Sequence, residues 1–252
     1  MLFVIPAGCV GLVLLRAPGA RTRALARMTM AGSRVILFVL GFRIKTVGEP
    51  PKATGLLVSN HTSYMDVLVL YSVRPTVFIA KKEVKGWPFI GLIAALCGTV
   101  FIKRESKRSS VDSLAEVERV LGYGVEVVVF PEGTTSDGSS VHNFSSLFFE
   151  SAVRANAPVV LATVAYRQEG GRSNVPWYAD MPLFRHFLKM ADSWKTQAFV
   201  RFNATLHPED IIGNADERRK KLAATSRHIV ADGLEALKAD YALAFNDAHH
   251  LR

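Results

Sequence analysis

The chain has 252 residues, enough for one α/β domain with a sizeable core. Hydrophobic residues make up 49% of it, and lysine plus arginine outnumber the acids 31 to 22, leaving a net charge of +9. That charge calls for an anionic partner. No zinc-finger spacing or nucleic-acid signature accompanies it, so a membrane surface or phosphorylated substrate fits better than nucleic acid. The only cysteines, Cys9 and Cys97, lie in apolar runs, which argues against a disulfide framework, and the histidines lack metal-ligand spacing.

The N-terminus opens on an apolar run, Leu2 to Leu15, followed by Arg16, Arg21, Arg23 and Arg27. A second apolar stretch, Val35 to Phe42, is flanked by Arg43 and Lys45. The first run is short for a spanning helix, and its charges follow rather than precede it, unlike those of a signal peptide. The pattern is read as a pair of helices lying in or dipping into one leaflet, in preference to a single spanning helix. A blander reading keeps Val35 to Phe42 as part of an ordinary core helix. Residues 1–45 are therefore assigned to an N-terminal membrane-associated helical segment and 46–252 to one α/β domain.

Apolar, β-rich runs then alternate with helical patterns. Strands are expected over 55–59, 76–81, 99–103, 125–130, 158–164 and 198–206. Helices are expected over 63–73, 89–96, 110–121, 144–154 and about 216–245, with Thr62 or Ser63 capping the first. This alternation predicts an α/β fold built on a single mixed sheet flanked by helices. No internal repeat or linker calls for a second domain.

Two motifs carry the chemistry. Asn60-His61-Thr62-Ser63-Tyr64-Met65-Asp66 follows a strand and opens a helix, at the sheet edge where α/β folds collect ligands. There Asp66 can curl back to fix the His61 tautomer, leaving the imidazole to take a proton from an alcohol. Phe130-Pro131-Glu132-Gly133-Thr134-Thr135-Ser136 is a tight turn after the clearest strand; Gly133 permits close backbone approach, and Glu132 has no obvious structural duty. Arg104, at the end of Phe101-Ile102-Lys103-Arg104, is open to two readings: a bidentate phosphate clamp, or a solvated arginine in a patch with Lys103, Lys107 and Arg108. Ser63 and Thr134 qualify as nucleophiles by residue type only, and no G-x-S-x-G elbow is present.

These blocks, together with Ala157-Pro158-Val159-Val160, resemble in content and order the membrane-bound glycerolipid acyltransferases, the group that contains the 1-acylglycerol-3-phosphate acyltransferases. The resemblance implies direct transfer of a fatty acyl group from acyl-CoA or acyl-carrier protein to a lysolipid hydroxyl, with no cofactor beyond that co-substrate. It implies His61 as general base and Asp66 as its orienting partner. Arg104 and Lys103 would bind the acceptor head group, Glu132, Gly133 and Thr134 would shape its site, and Pro158 would support the acyl-donor side. The acceptor implied first is 1-acyl-sn-glycerol-3-phosphate, giving phosphatidic acid, at a membrane with the active site on the cytoplasmic face. Two departures stand out: Thr135 occupies a position where many members carry arginine, and Leu161-Ala162 replaces a second proline. Loss of that cation weakens the case for a phosphomonoester. The stretch Trp177 to Met181, with His186, is similar to members that acylate other lysolipids such as lyso-ornithine lipid, although Asp180 and His186 also read as plain loop residues. A non-catalytic lipid-binding protein and a hydrolase are the competing functions.

Overall fold

Runs of valine and leucine with glycine or proline at their ends form the strands that organise the molecule. The computed structural model describes residues 17–86, 90–102, 107–168, 173–178, 181–182, 185–186, 188, 190 and 195–243. The first apolar run, Trp87, Lys103, Arg104, Asp180 and Trp194 lie outside the described residues. In chain order the elements are α1 (Pro18–Val39), β1 (Arg43–Val47), β2 (Leu56–Ser59), α2 (Met65–Val73), β3 (Thr76–Lys81), α3 (Ile90–Leu96) and β4 (Val100–Ile102). They continue with α4 (Lys107–Gly122), β5 (Glu126–Val129), α5 (Glu150–Arg154), β6 (Val159–Arg167), β7 (Gln197–Leu206) and α6 (Ala215–Tyr241).

One seven-stranded sheet runs in the order β1-β7-β6-β2-β5-β3-β4. Among the described residues β6 and β7 pair antiparallel and the other pairs are parallel. It is thus a mixed α/β sheet, as the alternation predicts. Every residue of β2 and β5 is buried, as expected of parallel strands covered on both faces. Leu56, Val58, Val127, Val129 and Leu161 face α4, α5 and α6, where Val117, Val120, Ala152, Val230, Leu234 and Leu237 meet them. Leu57, Val128, Val160, Ala162 and Val164 face the other way, against Leu37 of α1 and Met65, Val69 and Leu70 of α2.

β1 was not expected. Arg43-Ile44-Lys45-Thr46-Val47 alternates outward charge with inward apolar residues and pairs with β7 at the sheet edge, where charged side chains discourage further strand addition. β6 runs to Arg167, three residues beyond expectation. The expected 144–154 helix divides into a 3₁₀ turn, Ser146–Phe149, and α5. α6 begins where predicted because Asn214 and Glu217 form a reciprocal capping box.

α1 packs on the domain through Ala26, Ser33 and Leu37, while Val35, Phe38 and Val39 stay exposed. Among the described residues no helix is long and apolar enough to cross a membrane.

Candidate active site

Parallel pairing brings the ends of β2, β5 and β6 together, and the site is assembled there. β2 ends at Ser59, paired with Ala162 of β6. Asn60 then extends that ladder with its side chain: Nδ2 donates to the Val164 carbonyl at 2.9 Å, and Oδ1 accepts the Val164 N–H at 2.8 Å. The buried amide lets the main chain leave the sheet at a fixed angle and present His61.

His61 is held on every side but one. Its N–H donates to Glu132 Oε1 at 2.8 Å, and its carbonyl accepts the Ser136 N–H at 2.9 Å. Its ring stacks on Phe130, centroids 3.9 Å apart and 6° from parallel. Nδ1 lies 2.8 Å from Asp66 Oδ2. With the carboxylate accepting from Nδ1–H, Nε2 carries the lone pair, and it has no hydrogen-bond partner among the described residues.

Asp66 is fully buried. A buried carboxyl group is costly unless its lone pairs are filled, and they are. Oδ2 accepts from the Thr62 N–H at 2.6 Å and the Ser63 N–H at 2.9 Å, in addition to His61. Oδ1 accepts from Tyr166 Oη at 2.6 Å and Thr62 Oγ1 at 3.2 Å. Burial, then the Asp66 charge and hydrogen bond, hold the Tyr166 hydroxyl well above its ordinary pKa, so it stays a donor. Instead of Thr62 or Ser63 capping α2 strongly, Asp66 caps their amides; Ser63 Oγ accepts only a long bond from Met65 N–H, 3.3 Å. That hydroxyl is buried, which disqualifies it as a nucleophile open to substrate.

The second motif closes against the first. Gly133 turns the chain with φ +73° and donates its N–H to the Phe130 carbonyl at 3.1 Å. Glu132 has both carboxylate oxygens engaged within the protein: Oε1 by the His61 N–H and Oε2 by the His142 N–H at 2.9 Å. Burial raises its pKa, opposed chiefly by those two hydrogen bonds. Its duty is thus to join the two motifs. Thr134 is exposed beside it.

A third segment completes the wall. The Trp177 N–H donates to the Thr62 carbonyl at 2.8 Å. His186 is buried rather than a loop residue: Nε2 donates toward the Asn174 and Pro176 carbonyls at 2.9 and 3.1 Å, so Nδ1 accepts from Tyr64 Oη at 3.1 Å. Burial pushes the Tyr64 hydroxyl up to about 12.

The structure therefore gathers His61, Asp66, Glu132, Gly133 and Thr134. Pro158 is not brought to them. Its carbonyl accepts the Leu56 N–H at 2.8 Å at the opposite end of β2, on the order of 13 Å away at about 3.3 Å per residue. The reason is packing: a Cβ on Gly55 would lie 1.9 Å from the Pro158 oxygen, so Gly55 and Pro158 together fix the strand starts. Sequence reading missed Asn60, His142 and Tyr166. Tyr166 had a signal, because Val160, Ala162, Val164 and Tyr166 continue one face of β6 at period two.

A family model described as Acyltransferase matches residues 43–167. A lyso-ornithine lipid O-acyltransferase from Rhizobium meliloti (strain 1021) is 44% identical over 216 residues, 80% of this chain and 74% of that one. Its namesake from Brucella abortus (strain 2308) is 35% identical over 212 residues, 78% of each chain. The chain belongs to the glycerolipid acyltransferase family. The family also includes the 1-acyl-sn-glycerol-3-phosphate acyltransferase of Neisseria meningitidis serogroup B (strain MC58), 36% identical over 170 residues, 66% of this chain and 65% of that one. The crystal structure of the 1-acyl-sn-glycerophosphate acyltransferase PlsC from Thermotoga maritima shares the fold, with a TM-score of 0.66 at 21% identity, covering 94% of this chain and 89% of that one.

Proposed function

We propose that this acyltransferase esterifies the free hydroxyl of a lysolipid, with lyso-ornithine lipid as the preferred acceptor and an acyl-CoA or acyl-carrier-protein thioester as donor. The observation that carries the reaction is His61, fixed at Nδ1 by a saturated Asp66 and left open at Nε2. Nε2 takes the proton from the acceptor hydroxyl as its oxygen attacks the thioester carbonyl. Asp66 stabilises the imidazolium that forms. The C–S bond then breaks, and the departing thiolate receives the proton back from Nε2. No acyl-enzyme is required, and Glu132 acts by holding the His61 main chain. The relatives at 44% and 35% identity, both named for lyso-ornithine lipid, support that acceptor. 1-Acyl-sn-glycerol-3-phosphate is the second reading, favoured by the name of the Neisseria relative.

The membrane is the natural source of either lipid. The exposed face Val35, Phe38 and Val39 at the end of α1 supports an interfacial attachment there. The expected 45/46 boundary would cut β1, Arg43–Val47, so the membrane-associated segment is proposed to end ahead of that strand and the catalytic domain to begin with it. Lys103 and Arg104 remain proposed ligands for the phosphate of that second acceptor.

The test is acyl transfer by the detergent-solubilised chain, with labelled acyl-CoA and acyl-carrier protein offered separately to both acceptors. The wild type should acylate at least one, and His61→Ala should lose the activity by about 10³-fold or more. A His61→Ala variant as active as wild type would sink the mechanism. Release of free fatty acid without acceptor would favour a hydrolase.

A further inference from the structure

Two successive carbonyls of the catalytic loop are fastened from outside. The His61 carbonyl takes the Ser136 N–H, and the Thr62 carbonyl takes the Trp177 N–H. In each fastening segment the next residue is polar: Asp137 after Ser136, and Tyr178 after Trp177. The two segments thus converge beside the base, and the Asp137 charge, after burial, raises the Tyr178 pKa, as nearness of the two groups requires. Asp137 is held in place, since its Oδ1 accepts the Ser139 N–H at 2.9 Å and the Ser139 hydroxyl at 2.7 Å. Its Oδ2 has no hydrogen-bond partner among the described residues.

The surrounding charge is as informative. In a chain of net charge +9, no lysine or arginine occurs between Arg119 and Arg154. The cations that reach this span from α6, Lys238 at the Ser139 carbonyl and Arg227 at the Val141 and His142 carbonyls, are engaged by the main chain, and Lys238 also by Glu235. The segment 173–178 adds none. A phosphomonoester dianion brought up to Asp137 and Tyr178 would meet a carboxylate and a phenol, with the nearby Lys238 ammonium already bound to the Ser139 carbonyl and Glu235. An ammonium group would meet an anion and a hydroxyl acceptor.

We propose that Asp137 and Tyr178 form the head-group rim of the acceptor site and select a lysolipid bearing a primary ammonium over one bearing a phosphomonoester. This rests on the acyl-transfer reading above and assigns its acceptor preference to two named residues. The ammonium donates to Asp137 Oδ2, with the Tyr178 oxygen as second acceptor, while the lipid hydroxyl reaches His61 Nε2.

The experiment measures kcat/KM for lyso-ornithine lipid and for lysophosphatidic acid on wild type, Asp137→Asn, Asp137→Arg and Tyr178→Phe, each as detergent-solubilised full chain. Because both substrates are read on one preparation, partial misfolding cancels in the ratio. Wild type should favour lyso-ornithine lipid. Asp137→Asn should lower the ratio about tenfold, mainly through KM for the ammonium lipid, and Asp137→Arg should reverse the preference. Tyr178→Phe should give a smaller fall in the same direction. An unchanged ratio in both Asp137 variants overturns the assignment, as does a wild type that acylates only lysophosphatidic acid, which would leave the acyltransferase reading standing. A wild type inactive on both lipids would instead remove that reading, and the rim assignment with it.

Discussion

A buried carboxylate lies at each end of the parallel β2–β5 pair, and the protein treats the two oppositely. At the C-terminal end, in the first turn of α2, Asp66 is fully buried and accepts hydrogen bonds from five groups. At the N-terminal end, Glu126 is 1% exposed and its side chain meets a single hydrogen-bond partner among the described residues, Arg74, whose Nε reaches Oε1 at 2.9 Å. Glu126 Oε2 and Thr76 Oγ1, paired across the β3–β5 ladder, are buried with no hydrogen-bond partner among the described residues. Burial outweighs Arg74 and lifts the Glu126 pKa to about 7. At equal depth the two carboxylates thus differ in the number of donors aimed at them. The catalytic end is built to fill every lone pair of its acid. The far end is a staple, in which Arg74 also donates to the Pro51 and Ala53 carbonyls at 2.6 and 2.9 Å and ties down the β1–β2 connection.

The largest expected effect breaks the catalytic end without touching the fold. Asp66→Asn keeps the shape but replaces an acceptor by an amide that can donate toward Nδ1, favouring the wrong His61 tautomer. We expect kcat to fall about 10³–10⁴-fold with an unchanged circular dichroism spectrum. A loss below tenfold would mean that the tautomer is set elsewhere.

The mirror-image variant is Arg74→Ala. It strips from Glu126 the one cation bonded to it among the described residues and frees two backbone carbonyls, so it should cost about 3–5 kcal/mol of stability in urea unfolding. The folded fraction should retain wild-type kcat, because β5 transmits no change in donor count to Asp66. If kcat fell with stability intact, the two ends would be coupled and the comparison would be wrong.

How much of this could be read from residues alone follows the same division. The strands β2 to β7, the helix starts and the His61–Asp66 pair were legible because they rest on local periodicity, caps and a five-residue spacing. The role of Glu132 was not, since it depends on an N–H 71 positions away in the chain. Tyr166 was concealed by ending β6 at Val164, although its period continued. Pro158 was read as a site residue from its block, yet its position at the start of β6 follows only from the register Leu56↔Val159. β1 was hidden because its charges, Arg43 and Lys45, look like the flank of an apolar segment rather than the outer face of an edge strand.

A smaller effect exploits the raised pKa of Glu126. Its folded value, about 7, exceeds that of an unfolded glutamate, so the native state binds more protons between roughly pH 4.5 and 7. The contribution is full below the unfolded pKa and is lost as pH rises through the folded one. Unfolding free energy should therefore fall by about 2 kcal/mol from pH 5 to 7.5 through this group. Glu126→Gln should flatten that slope. An identical slope in the variant would assign the pH dependence to other groups.

The finest test removes one donor from the saturated end. Tyr166→Phe deletes the 2.6 Å bond to Asp66 Oδ1 and leaves the other four in place. If five donors act as a set, the remaining four still hold Asp66 in place, and the variant should lose only about tenfold in kcat and about 1.5–3 kcal/mol in stability. The loss should be in kcat rather than in KM for the acceptor, because Tyr166 is buried behind Asp66 and touches the reaction only through it. A collapse in kcat as large as that of Asp66→Asn would mean that the hydroxyl, not the set, holds the carboxylate in place. Asp66 would then resemble Glu126 more closely than its five bonds suggest: a buried acid dependent on one neighbour.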